Sequence, residues 1–94
     1  MKLANNLVYA AQMAATAEAF TMVSASGVSL SAALEVISSS SGACMAVATR
    51  VPFEGVQPES PVSNGWKPGF ATELMLKDLR LALAQGARVG VPMR

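Results

Sequence analysis

Alanine dominates the stretch from Leu3 to Ala25, and a run of that length and composition has one economical fold, a single long helix. Asn5, Asn6, Gln12, Thr16, Glu18 and Thr21 interrupt its apolar character. An intramembrane Glu is expensive, so the run does not read as a membrane span. It also lacks the charged flank, compact apolar core and small-residue cleavage site of a signal peptide. It reads instead as a helix buried on most of its circumference in a soluble, cytoplasmic protein. A chain of 94 residues has little material to cover such a helix. A partner is therefore implied, either another domain or another copy.

The rest of the chain divides at its glycines, serines and prolines. The first helix, from about Lys2 to Ala25, stops near Gly27, which can supply a left-handed closing residue. Ser29 is a plausible N-cap for a second helix, Leu30 to about Ser38, with Leu30, Leu34 and Ile37 on one face. Four serines and Gly42 then signal a turn. A third, shorter helix follows from Ala43 to Arg50 and ends before Pro52. The stretch from Phe53 to Pro68 holds Pro58, Pro61, Pro68, Gly55, Asn64 and Gly65, and reads as a long ordered loop. A last helix spans roughly Phe70 to Gln85 and closes at Gly86. No segment alternates with period two, so the expected fold is all-α, a single helical domain over residues 1–94.

Composition removes several classes of function. The chain is 52% hydrophobic but 5% aromatic, and its Ala, Val, Leu and Met suit close helix packing and adaptable surfaces. A net charge of +1 with scattered Lys and Arg leaves no electrostatic footprint for nucleic acid. One cysteine, Cys44, cannot form an internal disulfide, and no Cys/His cluster could hold a metal. Histidine is absent, so proton transfer near neutral pH would need a perturbed Lys or carboxylate.

Lys2 and Asn6 are the residues that could carry such chemistry. Four apart on a helix, they share a face one turn from each other. An ammonium can pass a proton to an oxygen that a carboxamide holds by hydrogen bonds. The spacing alone leaves the plain reading open, a solvated lysine and an asparagine near a helix start. Towards the other end, Lys67-Pro68-Gly69-Phe70 puts an aromatic residue at the start of the last helix. Met75-Leu76-Lys77-Asp78-Leu79 then sets a charged pair in an apolar run. Taken alone, Phe70 packs against Leu74, and Lys77 is solvated beside Glu73.

Taken together, these motifs resemble one family. Lys-x-x-Asn-Asn at residues 2–6, Ala-Glu-Ala-Phe at 17–20, Gly27, Gly69-Phe70 and Leu76-Lys77-Asp78-Leu79 occur in order along nearly the whole chain. They resemble the C-terminal helical domain of the β-hydroxyacid dehydrogenases, among them 3-hydroxyisobutyrate dehydrogenase, tartronate semialdehyde reductase and the glyoxylate/succinic semialdehyde reductases. By that resemblance Lys2 corresponds to the catalytic lysine and Asn6 to the substrate-binding asparagine. Lys77 and Phe70 correspond to residues that border the nicotinamide cofactor, NAD or NADP. Asn5 stands where the related phosphogluconate dehydrogenases tend to carry His, which points to small hydroxyacids or semialdehydes as substrates.

The chemistry implied is hydride loss to the cofactor with proton loss to a base. A lysine shielded in a cleft can accept that proton, because desolvation disfavours its charged form. In the reductive direction the ammonium donates the proton and stabilises the developing alkoxide. The sequence has no Gly-x-Gly-x-x-Gly after a strand, so the chain reads as an incomplete part of such an enzyme. On this reading the cofactor-binding domain and the last helices are missing, and the chain alone binds no cofactor and is inactive. The alternative is a stand-alone homodimerisation module that keeps the family's packing surface, for which Met1 directly before Lys2 could be a native start.

Overall fold

A computed structural model describes residues 1–53, 56–57 and 72–91, and four helices account for most of them: α1 (Lys2–Ala25), α2 (Leu30–Ser38), α3 (Met45–Thr49) and α4 (Thr72–Arg88). No strand occurs among the described residues, in keeping with the all-α expectation. α1 is the spine, and α2, α3 and α4 each pack against it.

The two long helices end by the same device. After α1, Gly27 takes φ +76°, Gly27 N–H donates to Ser24 O at 3.1 Å, and Val28 N–H donates to Val23 O at 3.3 Å. After α4, Gly90 takes φ +79°, its N–H donates to Ala87 O at 3.2 Å, and Val91 N–H donates to Gly86 O at 2.7 Å. Both are Schellman closures, in which a left-handed residue turns the chain back onto carbonyls the helix leaves unpaired. Gly27 acts as the sequence indicates. The expected closure at Gly86 is corrected: Gly86 lies inside α4 and is buried. Ala87 and Arg88 favour helix, and Gly90 provides the exit that Gly86 was expected to provide.

The shorter elements follow local chemistry. Ser29 is extended, with φ −60° and ψ 125°, and its side chain accepts the N–H of Ala32. Leu30, Leu34 and Ile37 of α2 are all half-buried, as their shared face requires. α3 is shorter than the expected Ala43–Arg50. Ala43 N–H is already used in the preceding turn, donating to Ser40 O at 3.1 Å. At the other end Val51 N–H donates to Gln57 Oε1 at 2.8 Å instead of extending the helix. Gln57 Nε2 donates to Val47 O at 2.6 Å, so this buried carboxamide ties the chain after α3 back to the helix it has left.

Phe20 and Val51 are the largest fully buried side chains, joined in the core by Ala46, Val47 and Ala82. The expectation that α1 is buried on most of its circumference does not hold within this chain. Only Thr16 and Phe20 of α1 are buried, while Val8, Met13 and Met22 remain exposed. α2, α3 and α4 pack along this 24-residue helix, and much of its remaining surface has nothing from the described residues to lie against. No helix among the described residues is long and apolar enough to cross a membrane. The expected start of the last helix at Phe70, and all but a few residues of the 53–68 loop, lie outside the described residues.

Candidate active site

The first turn of α1 carries Lys2, Asn5 and Asn6, and Asn5 N–H closes that turn onto Met1 O at 3.0 Å. Lys2 is exposed and Asn6 is half-buried. One turn of helix separates them, so both lie on the same side of α1. From α4, Asp78 reaches the same place: Asn6 Nδ2 donates to Asp78 Oδ2 at 2.5 Å, across 72 residues of sequence. Asp78 is 7% exposed. A carboxylate that is shut away from water needs hydrogen-bond donors, and a charge-assisted bond of this kind is among the stronger ones.

That bond fixes the polarity of the Asn6 amide. An ionised carboxylate only accepts, so the nitrogen end of Asn6 must face Asp78. Asn6 Oδ1 in turn lies 3.4 Å from the donating Nδ2 of Asn5. The other N–H of Asn6 has no hydrogen-bond partner among the described residues. The sequence reading sets Lys77 and Asp78 as a charged pair in an apolar run without giving Asp78 a role; the structure separates the two by burial. The preceding residue, Lys77, is exposed, while Asp78 turns inward. The signal was a carboxylate inside an apolar run.

Beside Asn6 lies an open cleft of about 460 Å³, lined by Asn5, Asn6, Val8, Tyr9, Gln12, Met45 and Arg50. Asn5, Tyr9 and Gln12 recur at helical spacing along α1, which brings them to one wall; Met45 and Arg50 come from α3 and its end. Gln12 Oε1 is closed off from solvent and has no hydrogen-bond partner among the described residues. Sequence reasoning missed this wall, having taken Gln12 only as an interruption of apolar character. Its spacing from Asn5 could have revealed it, whereas nothing in the sequence marks Arg50.

Lys77 sits in a different surface cleft of about 410 Å³ with Glu73, Leu76, Arg80 and Leu81. That cleft shares no residue with the one beside Asn6. The structure thus joins Asn6 to α4 through Asp78 and leaves Lys77 on another face of that helix. Phe70 lies outside the described residues. No group of three or more Cys, Asp or Glu that could hold a metal occurs among the described residues.

The comparisons with known proteins agree on one family. A family model described as NAD-binding of NADP-dependent 3-hydroxyisobutyrate dehydrogenase matches residues 1–94. That description names an NAD-binding part, not the C-terminal helical domain that the sequence motifs suggest. A probable 3-hydroxyisobutyrate dehydrogenase of Mycobacterium bovis is 45% identical over 89 residues, covering 95% of this chain and 30% of the relative. A probable mitochondrial 3-hydroxyisobutyrate dehydrogenase of Arabidopsis thaliana is 40% identical, covering 95% of this chain and 26% of the relative. Among solved structures, Mycobacterium tuberculosis 3-hydroxyisobutyrate dehydrogenase with L-serine superposes with a TM-score of 0.93 at 43% identity. It covers 98% of this chain and 32% of its own. The chain therefore spans under a third of the length of these relatives.

Proposed function

Because the chain belongs to the 3-hydroxyisobutyrate dehydrogenase family, we propose that it is the helical substrate-cleft and association domain of an NAD(P)-dependent β-hydroxyacid dehydrogenase or semialdehyde reductase. The observation that carries this reading is the Asn6–Asp78 bond. It joins the Lys-x-x-Asn-Asn turn to the Lys-Asp-Leu segment, which sequence alone could only set side by side. The absence of strands among the described residues supports a helical domain over a dinucleotide-binding one, whose core is a parallel sheet. L-serine, found with the mycobacterial relative, is itself a small 3-hydroxy carboxylic acid and fits the proposed substrate class.

In this reading the nicotinamide cofactor, when bound, takes or supplies the hydride. The chain's own residues handle the oxygen and the proton. Asn6 donates its remaining N–H to the reacting oxygen, held in direction by Asp78. Lys2 accepts the proton of the alcohol, or returns it to the developing alkoxide, and its charge stabilises that alkoxide. Lys2 is exposed in this chain, so its shielding from water must come from chain that closes over the first turn of α1. Lys77 and the neighbouring Arg80 offer two cations to the edge of an anionic cofactor, with Phe70 assigned beside them by the family motif.

Hydride transfer from NADH or NADPH to small semialdehydes, followed at 340 nm in the enzyme that carries this segment, tests the reading. Lys77→Ala should raise the cofactor's Michaelis constant roughly 2- to 5-fold, the scale of an exposed charged contact, with turnover retained. An unchanged constant would remove Lys77 from the cofactor site. The exposed Val8 and Met22 of α1, nearly four turns apart and so on one side of the helix, support the association half of the proposal, since an apolar helix face in an obligate interface is covered by its partner. Light scattering should show the chain as a dimer, and a concentration-independent monomer would argue against self-association.

A further inference from the structure

Two methionines of this chain are almost equally open to solvent and differently placed. Met22 is 65% exposed and Met45 61%. Met22 stands in the last turn of α1, in an open hollow with Ala17, Glu18, Thr21 and Ala25. Met45 is the first residue of α3 and lines the cleft beside Asn6. The walls around it are rich in hydrogen-bond donors: the carboxamides of Asn5, Asn6 and Gln12, the hydroxyl of Tyr9 and the guanidinium of Arg50. A thioether is a weak acceptor and leaves such donors free. One added oxygen reverses that, because methionine sulfoxide is polar where the thioether is apolar and its oxygen only accepts. The backbone at Met45 is held in place. Met45 O accepts from Thr49 Oγ1 at 2.8 Å, and the next residue, Ala46, is fully buried. A modified side chain therefore stays at the cleft.

We propose that Met45 is a redox-sensitive switch at this cleft: oxidised by a hydroperoxide, its sulfoxide oxygen takes up a donor of the cleft wall and competes with whatever the cleft binds. The inference rests on the dehydrogenase reading and deepens it, by naming a regulation of the same site. The step balances. The sulfur attacks one peroxide oxygen, the S–O bond forms as the O–O bond breaks, and the second oxygen leaves as water. Sulfur gives up two electrons and the peroxide takes them. Chain that covers the cleft in a longer enzyme must still admit a substrate, and hydrogen peroxide is smaller than any hydroxyacid. Methionine sulfoxide reductases return the thioether, so the change is reversible. Met22, as exposed as Met45 but outside the cleft, is oxidised without this consequence.

The test treats the isotopically labelled chain with hydrogen peroxide, maps the oxidised residues by mass spectrometry and follows side-chain N–H signals by NMR. Signals of the cleft carboxamides or of Arg50 Nε–H should move in step with the oxidised fraction of Met45. They should move equally in Met22→Leu and stay still in Met45→Leu. Dithiothreitol reverses reversible oxidation of the adjacent Cys44 but not a sulfoxide, so signals restored by dithiothreitol alone would overturn the inference. Signals unmoved once Met45 is oxidised would overturn it too, and that observation needs no variant to fold. In the enzyme that carries this segment, peroxide should raise the substrate Michaelis constant about 2- to 10-fold, the worth of one neutral hydrogen bond. Sulfoxide reductase should restore it. Met45→Leu, compared with itself before and after peroxide, should show no rise. The two readings fail separately. Moving signals in the chain, with no hydride transfer by the untreated enzyme, would sink the dehydrogenase proposal alone. An active enzyme whose Michaelis constant ignores oxidation of Met45 would sink only this one.

Discussion

Lys2→Ala is expected to lower turnover about 10²- to 10⁴-fold, the usual worth of a positioned proton donor or acceptor. The lysine has two tasks in the proposed reaction, moving the proton and offsetting the charge of the alkoxide, and alanine removes both. Neither task is needed to bind the cofactor, so its Michaelis constant should stay close to that of the unaltered enzyme. Lys2 is exposed and carries none of the buried core, so the fold should persist as well. Asn6→Ala should cost less in turnover and more in substrate Michaelis constant, because it removes a holder and leaves the proton carrier in place. Steady-state kinetics on the two variants separates these roles. Near-normal turnover in Lys2→Ala would remove the lysine from proton transfer.

Phe20→Ala should be the most damaging single change to the fold. Phe20 is fully buried, on the face of α1 towards α2 and α3. Truncating a buried Phe typically costs about 3–5 kcal/mol, with the larger values where the surroundings cannot collapse. Phe20 already lies at the floor of an open apolar cleft of about 490 Å³ with Ala15, Ala19, Ile37 and Val47 among its walls. Removing the ring enlarges that space, and small alanine side chains cannot reach in to refill it. The expected fall in melting midpoint is roughly 12 °C or more for a domain of this size. Thermal circular dichroism measures it, with Met22→Ala as the comparison. Met22 is 65% exposed, and its truncation should change stability by about 0.5 kcal/mol or less. Equal midpoints for the two variants would show that the core is not where the burial places it.

The local parts of this fold are legible in the sequence because they rest on local rules. Ser29 caps α2 and Gly27 closes α1 because each needs only its own neighbours. Gly86 misleads because glycine is also tolerated inside a helix, and the better exit at Gly90 lies just beyond it. α3 is shortened by a bond from Gln57, and periodicity carries no information about a partner outside the helix. The site divides along the same line. The pairing of Lys2 with Asn6 is an intrahelical spacing and can be read directly. Asp78 meets Asn6 from another helix, and its role shows only when α1 and α4 are packed together. Arg50 is hidden for the same reason: its relation to Tyr9 and Gln12 is a matter of which helices touch.

The buried carboxamide of Gln57 has a bearing on how such a chain can vary. By holding Val47 O and Val51 N–H at once, it completes the wall that carries Arg50 before the sequence moves on. Whatever follows Gln57 is anchored at a point already set. The clasp therefore fixes the end of α3 and the residue after Arg50 by contacts made wholly within residues 47–57.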